Sequence, residues 1–390
     1  MKQYKDMRVL VVDDMPNMRK TMKNMLRSLG FEDIIEASDG ETALQKITSA
    51  KYDLVISDWN MPKMTGYKLL KKTRENPDTR ALPFLMVTAE ISGEQIAHAA
   101  ETEVDGYIIK PFTAATLKEK LEAVFERKSK PSPIDAIIHL AKAMIDAGQT
   151  PQALEALIQA QKNYPKSARL MVTIGEACEA SGNAPQAAKF YEKAKALNPQ
   201  FVRGAQRLGE LYVKMGDEKK AIENFEEAAR ISPNDPARQL AMGKLYLKTG
   251  QGEKARQAFA TAQTTDKGDL ELHREIGEAY MEAGMEDYAA QAFKKALDVD
   301  PRVIHLYNRL GIALRRKKRY QEAVDEYLKA LAVEPDDEAL YFNLAKAYQE
   351  MGANGQAVAA LTKALEIDPE FREARQFLEQ VKTAAKVTSA

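Results

Sequence analysis

A 34-residue period runs without insertion through residues 134–371 of the 390-residue chain. The seven frames begin at residues 134, 168, 202, 236, 270, 304 and 338. Alanine occupies positions 20 and 27 of every frame, and glycine or alanine occupies position 8. Proline stands at position 32 in six frames, with Lys267 as the exception. A period of this length predicts stacked copies of one structural unit.

Each unit is predicted to be a pair of packed helices. Glycine inside a helix costs about 1 kcal/mol relative to alanine, so its recurrence at position 8 needs a structural cause. We expect the small residues to let helix backbones approach closely, with large residues at positions 11 and 24 filling the space beside them. The proline ends the second helix before the next unit begins. The pattern resembles tetratricopeptide repeats (TPRs), which implies an all-α TPR superhelix.

Residues 8–125 follow a different pattern, in which short β-rich runs alternate with helical stretches of about a dozen residues. Strands are predicted near residues 8–12, 34–37, 54–57, 84–88 and 106–109. This alternation indicates a parallel sheet with helices on both faces. Pro131 and Pro133 interrupt the pattern, so four segments are predicted. They are a domain at 1–128, a linker at 129–133, seven repeats at 134–371, and a capping helix with tail at 372–390.

Polar side chains stand where four of the predicted strands end. Asp13 and Asp14 follow the first strand, Asp58 ends the third, Thr88 ends the fourth and Lys110 follows the fifth. In a parallel sheet these ends meet at one edge. A carboxylate can attack phosphorus, carboxylates suit Mg²⁺, and lysine and threonine can hold phosphoryl oxygens. The alternative is that the aspartates only cap helices and open turns, which explains one such residue more readily than five groups.

The same stretches resemble the receiver domain of two-component response regulators, most closely chemotaxis regulators of the CheY type. The matching segments are Val11–Asp14, Ser57–Pro62, Ala81–Glu90, Gly106–Tyr107 and Lys110–Leu117. The resemblance implies an α/β flavodoxin-like (βα)5 fold, a histidine kinase as phosphodonor, and a cis peptide before Pro111.

It also implies roles for individual residues. Asp58 is the phosphoacceptor, assisted by Lys110 and Thr88. Mg²⁺ is held by Asp14, Asp58 and the Asn60 carbonyl, with Asp13 assisting. Thr88 and Tyr107 form the switch pair.

The repeats resemble a family that binds proteins or peptides along a groove lined by the first helices, at positions near 2, 5, 9 and 12. The candidate partner-binding residues are Arg169, Glu176, Arg203, Glu210, Arg274, Glu278, Asn308 and Arg315. Their charges alternate in sign, which leaves open both a groove that binds a ligand and a face that is merely solvated.

The charge balance of the chain excludes some classes of protein. Lys plus Arg and Asp plus Glu each number 57, with 20 of each in residues 1–128. Neither part is basic, so no nucleic-acid partner is expected. Cys178 is the only cysteine, which fits a reducing compartment. No apolar run is long enough for membrane insertion, so a cytoplasmic location is expected.

The predicted function is that of a response regulator with a TPR protein-binding output. It is not expected to be an enzyme, beyond self-catalysed phosphorylation and dephosphorylation. Two alternatives remain: a constitutive scaffold whose receiver only docks a kinase, and a phosphatase that turns over a phosphate ester.

Overall fold

The structure is a computed structural model that describes residues 4–89, 104–129 and 132–388. The chain divides into two compact units. The first comprises Met1–Leu245 with Thr264–Lys267, and the second comprises Tyr246–Gln263 with Gly268–Ala390. The domain boundaries given above stay predictions.

Five parallel strands form the sheet in the N-terminal part of the chain. They are β1 (Arg8–Val12), β2 (Asp33–Ala37), β3 (Leu54–Asp58), β4 (Phe84–Thr88) and β5 (Gly106–Ile109), in the order β2-β1-β3-β4-β5. The helices described here are α1 (Pro16–Ser28), α2 (Gly40–Ser49), α3 (Gly66–Glu75) and α4 (Ala114–Ser129), after a short 3-10 helix at Tyr4–Asp6. The predicted flavodoxin-like fold is confirmed. The helix expected between β4 and β5 falls in residues 90–103, outside the described residues.

Both faces of this sheet are covered. In β1, Val9 and Val11 pack on the side of α1 and α4, while Leu10 and Val12 pack on the side of α2 and α3. The burial on two sides explains why the strands are near-continuous apolar runs. The strand ends are therefore where polar side chains can gather.

The repeats form helix pairs, as predicted. The first helices are α5 (Pro133–Asp146), α7 (Ala168–Ala180), α9 (Val202–Met215), α11 (Pro236–Lys248), α13 (Leu270–Glu282), α15 (Ile304–Arg316) and α17 (Glu338–Glu350). The second helices are α6 (Thr150–Asn163), α8 (Ala184–Leu197), α10 (Glu218–Ile231), α12 (Gly252–Thr265), α14 (Glu286–Val299), α16 (Tyr320–Val333) and α18 (Asn354–Ile367). Every second helix begins at frame position 17, and every first helix begins within one residue of position 1. The all-α TPR fold is confirmed.

The glycine at position 8 lies against the aromatic ring at position 24, which was expected beside it, whereas the close approach of a neighbouring helix backbone was expected to be its cause. A Cβ atom added at Gly209, Gly277 or Gly311 would lie 2.5 to 2.6 Å from a ring carbon of the aromatic residue at position 24 of the same repeat. The nearest atoms thus belong to a side chain and not to a neighbouring backbone. The missing side chain makes room for the ring, and the ring fills the interior of the repeat.

The turn inside each repeat uses position 15, which the sequence analysis did not single out. Six of the seven repeats have a glycine with positive φ there, such as Gly216 at 75°. Lys318 occupies this position in the sixth repeat and adopts φ of 60°. The left-handed conformation ends the first helix and lets the chain reverse.

The last helix described is α19 (Arg372–Thr388), and it lies where a capping helix was predicted. Leu378 and Val381 are buried, and the Phe377 ring lies 5.9 Å from that of Phe342. This apolar side covers the last helix pair. Of the helices within the described ranges, none combines the length and apolarity needed to span a membrane.

Candidate functional site

The candidate site lies at the carboxyl edge of the sheet, where β1 and β3 are neighbours. Open α/β sheets hold ligands where the strand order reverses. The Lys110 ammonium lies 2.7 Å from Asp58 Oδ1 and 3.0 Å from Asp13 Oδ2. Asp13 is fully buried and Asp58 is 8% exposed. The fold brings together the groups that end the first, third and fifth strands.

Local hydrogen bonds hold the loop after β1. The Met15 amide donates to Asp13 Oδ1 at 2.9 Å, so this carboxylate is bound on both oxygens. The Arg19 guanidinium donates to the Asp13 carbonyl at 2.7 Å and to the Asp14 carbonyl at 3.2 Å. The Asp14 residue itself is exposed. Of the two adjacent aspartates, only Asp13 reaches Lys110.

The loop after β3 closes tightly on Asp58. The Gly66 amide donates to the Trp59 carbonyl at 2.9 Å, and Ser57 Oγ donates to the Asp58 carbonyl at 3.0 Å. A Cβ on Gly66 would overlap the Asp58 carbonyl oxygen. Sequence analysis missed Gly66. The available signal was Thr65, whose hydroxyl caps α3 immediately before the glycine.

The electrostatics of the site favour an additional cation. Burial raises the pKa of Asp58, and repulsion from Asp13 and Asp14 raises it further, against the opposing effect of Lys110. Burial alone would lower the pKa of Lys110, but its bonds to Asp58 and Asp13 raise it above the ordinary value. Two carboxylates thus contact one ammonium while Asp14 adds repulsion, and a further positive charge would favour the ionised form of Asp58.

The carboxylates fit Mg²⁺ in donor chemistry, because hard oxygen atoms are its preferred ligands. Within the described ranges, no three His, Cys, Asp or Glu side chains are already gathered as a ligand set. Lys110 lies between Asp13 and Asp58, and Asp14 and Asn60 are exposed. Binding of the ion therefore requires some rearrangement of these side chains.

Thr88 and Tyr107 lie on neighbouring strands. Thr88 is buried at the end of β4, and its carbonyl accepts a hydrogen bond from the Lys110 amide at 2.7 Å. Tyr107 is half-buried and pairs in register with Met86. No hydrogen-bond partner of its buried hydroxyl is found in the part of the chain that the structure describes. The bond between Lys110 and Pro111 is cis, as the resemblance implied.

The candidate groove residues in the first compact unit of the chain form ion pairs with one another and with neighbouring residues. Glu176 accepts from Arg203 at 2.9 Å and from Arg207 at 2.9 Å, and Arg207 also contacts Glu210 at 2.9 Å. Arg169 lies 2.5 Å from Asp135. These ion pairs connect α5 to α7 and α7 to α9. Sequence analysis missed Arg207, which is at position 6 of its frame.

In the second unit the pattern is similar. Glu278 pairs with Arg309, and Arg315 lies 2.5 Å from Glu350. Asn308 accepts from Asn343 at 2.9 Å. Arg274 pairs with Glu271 on its own helix. All these candidates therefore have polar partners within the array, and a role in binding another protein stays a prediction.

Three family models match the chain. Residues 9–122 match the response regulator receiver domain, and residues 139–200 match the tetratricopeptide repeat. Residues 201–390 match the C-terminal domain of cilia and flagella-associated protein 70. The matches correspond to the sheet-containing part and to the helix pairs.

Individual proteins give the same division. The chain is 54% identical over 123 residues to chemotaxis protein CheY-3 of Vibrio cholerae, covering 32% of this chain and 95% of that protein. It is 51% identical over 121 residues to chemotaxis protein CheY of Pseudomonas aeruginosa, covering 31% and 98%. The C-terminal part of a TPR repeat-containing protein from Cytophaga hutchinsonii is 17% identical with a TM-score of 0.50, covering 61% of this chain and 98% of that one. This last likeness shows the fold alone.

Proposed function

The chain belongs to the response-regulator receiver family, here joined to tetratricopeptide repeats, and we propose that it is a phosphorylation-controlled switch with a protein-binding output. Receiver domains are in general phosphoacceptor switches and not enzymes of ordinary turnover. The observation that carries the proposal is the contact of Lys110 with both Asp58 and Asp13 at the sheet edge.

The proposed chemistry is transfer of a phosphoryl group from a histidine kinase to Asp58. A carboxylate oxygen attacks phosphorus, the bond from phosphorus to the donor imidazole nitrogen breaks, and the imidazole takes up a proton from water. The Lys110 ammonium is near enough to stabilise charge on the transferred group. Bound Mg²⁺, held by Asp13, Asp14, Asp58 and the Asn60 carbonyl, would supply further charge stabilisation. Self-catalysed transfer from small phosphodonors, and loss of the group to water, belong to the same proposal.

Thr88 and Tyr107 are proposed to transmit the change. Phosphorylation adds about −1.5 to −2 charges and new hydrogen-bond acceptors, and the Thr88 hydroxyl is a suitable donor beside the site. A half-buried ring such as that of Tyr107 can occupy space that Thr88 leaves. The buried Tyr107 hydroxyl, unpaired among the described residues, supports a ring that has a second position.

The TPR array is proposed to bind a protein or peptide through its first-helix face. Arg169, Glu176, Arg203 and Glu210 would take part in the first unit. The corresponding residues of the second unit are Arg274, Glu278, Asn308 and Arg315. Their present ion pairs, and the hydrogen bond of Asn308 to Asn343, would be replaced by contacts with the partner. The cytoplasm is the proposed location.

Incubation with acetyl phosphate and Mg²⁺ is expected to add one phosphoryl group to the wild-type chain, measured by intact-protein mass spectrometry. The Asp58→Asn variant should add none, because an amide is not a nucleophile towards phosphorus. Asp78→Asn, which changes an exposed loop carboxylate, is the matched control and should label normally. Undiminished labelling of Asp58→Asn would show that another residue is the acceptor.

Titration with Mg²⁺ is expected to quench or shift the fluorescence of Trp59, the only tryptophan. Trp59 is 8% exposed and directly follows Asp58, so a change in the carboxylates alters its surroundings. Asp13→Asn should lower the apparent affinity for Mg²⁺ by about tenfold or more, so that a higher concentration is needed for half of the fluorescence change. Asp78→Asn should leave this concentration unchanged. An unresponsive wild-type chain at millimolar Mg²⁺ argues against the metal site.

A further inference from the structure

Helix α3 contacts the repeats within the first compact unit. The contacts come from the N-terminal end of the helix, next to the loop that follows Asp58. The Tyr67 hydroxyl donates to Asp235 Oδ2 at 3.0 Å. The Lys68 ammonium lies 3.5 Å from Asp266 Oδ2. Both aspartates are buried, at 4% and 6% exposure. Two consecutive residues of α3 therefore bind acidic groups that are 168 and 198 positions away in the chain.

The loop after α3 adds a third contact of the same kind. Arg80 lies 2.6 Å from Asp146 at the end of α5. The position of this loop is set by Arg74, whose guanidinium donates to the carbonyls of Arg80 and Leu82 at 2.9 and 2.8 Å. We call Tyr67, Lys68 and Arg80 the docking face. One aromatic hydroxyl and two cations on this face thus meet three carboxylates on the repeats.

The contact is polar and incompletely packed. A cavity of about 430 Å³ lies beside it, lined by Lys71 and Arg74 on one side and by Lys142, Glu176 and Arg207 on the other. Contacts between domains that are polar and wet resemble transient protein interfaces and can open. Among the described residues, the contacts that define the docking face are thus one hydroxyl and two cations against carboxylates.

The docking face is also joined to the candidate site. Gly66, the first residue of α3, leaves no space between the helix and the Asp58 carbonyl. The next residue, Tyr67, places its ring 5.7 Å from that of Trp59, which directly follows Asp58. A displacement of the loop after β3 cannot be absorbed at Gly66, because packed interiors transmit strain. It must therefore move the start of α3 and with it the Tyr67 hydroxyl.

We propose that the docking face is an intramolecular ligand of the repeats, covering Asp146, Asp235 and Asp266 until a change at Asp58 releases it. The exposed carboxylates then bind a helical partner segment of the same chemistry, with a tyrosine followed by basic residues. The docking part goes beyond the function proposed above. The release by phosphorylation rests on that proposed function.

Hydrogen exchange of the full chain, measured by mass spectrometry, tests the docking. Arg80→Asp and Asp146→Arg should each speed exchange of the α3 amides by about tenfold, the effect of losing one charge-assisted bond. The double variant, which restores the pair with exchanged charges, should return exchange towards the wild-type rate. Tyr67→Phe keeps the ring beside Trp59 and should also speed exchange, in a variant whose fold is preserved. Lys120→Asp, on α4, where the lysine side chain is 40% exposed, is the matched control and should have no effect.

The release is tested by comparing hydrogen exchange of α3 before and after phosphorylation. In wild-type chains whose labelling is verified by mass, exchange in α3 should rise by a similar factor, and Asp58→Asn should show no rise. Equal exchange in all unphosphorylated variants, or a double variant no slower than the single ones, overturns the docking. Verified phosphorylation without faster exchange overturns the release. If no phosphoryl group is incorporated, both the proposed function and the release are contradicted. The comparison of the single and double variants at Arg80 and Asp146 still tests the docking.

Discussion

Replacing Gly66 by alanine is expected to lower the free energy of unfolding of the N-terminal domain by about 2–3 kcal/mol and to impair phosphorylation. A Cβ at this position would overlap the Asp58 carbonyl oxygen and would lie 2.8 Å from Ser57 Oγ. The backbone there cannot yield easily. Asp58 pairs with Val87 in the centre of the sheet, and the Trp59 amide donates to the Val87 carbonyl at 2.8 Å. The added methyl group must therefore displace either the acceptor loop or α3.

Urea unfolding followed by Trp59 fluorescence measures this effect, because the only tryptophan reports on the sheet-containing part alone. Gly252→Ala is the matched control. Gly252 also begins a helix, but a Cβ there would meet nothing within 4 Å. Gly252 lies in the repeats, outside the part on which Trp59 reports, so that variant should unfold at the wild-type urea concentration when followed by Trp59 fluorescence. A Gly66→Ala chain that is as stable as wild type and labels normally would contradict the tight contact.

Replacing Glu176 by glutamine is expected to destabilise the first repeats by about 2–3 kcal/mol at neutral pH. Burial alone would raise the pKa of Glu176, but Arg203, Arg207 and Lys142 lower it to about 2. Its side chain is 17% exposed, so solvent screens these charges little. Glutamine keeps the shape of the side chain but leaves the two guanidinium groups without their shared negative charge.

The same carboxylate predicts a dependence on pH. Because its pKa is lower in the folded chain than the ordinary value of 4.5, its contribution is fully present above about pH 4.5. It is lost as the pH falls from there towards about 2. Urea unfolding followed by far-UV circular dichroism should show this loss in wild type and a smaller one in Glu176→Gln. Glu155→Gln, at an exposed position of α6, should behave as wild type. Equal pH profiles for Glu176→Gln and wild type would mean that the ion pairs contribute nothing measurable.

Much of the fold could be predicted because its signals are local. The helix pairs start where the frames start, since each repeat carries its own apolar pattern and stop signals. The strands of the sheet are apolar runs that end on polar residues, and this pattern also identified Asp13, Asp58 and Lys110. The long-range contacts could not be predicted in this way. Nothing near Tyr67 in the sequence indicates Asp235, because the two residues meet only through the packing of separate segments.

The sequence by itself determined the fold class, the helix periods and the edge of the sheet where the candidate site lies. These follow from hydrophobic spacing and strand polarity, which are properties of short stretches of chain. The tertiary structure alone decided that Lys110 contacts two carboxylates and that the start of α3 at Gly66 packs directly against the Asp58 carbonyl. It also decided that the docking face covers acidic residues of the repeats. Each of these facts depends on distances between residues far apart in the chain, and spacing along the sequence does not encode such distances.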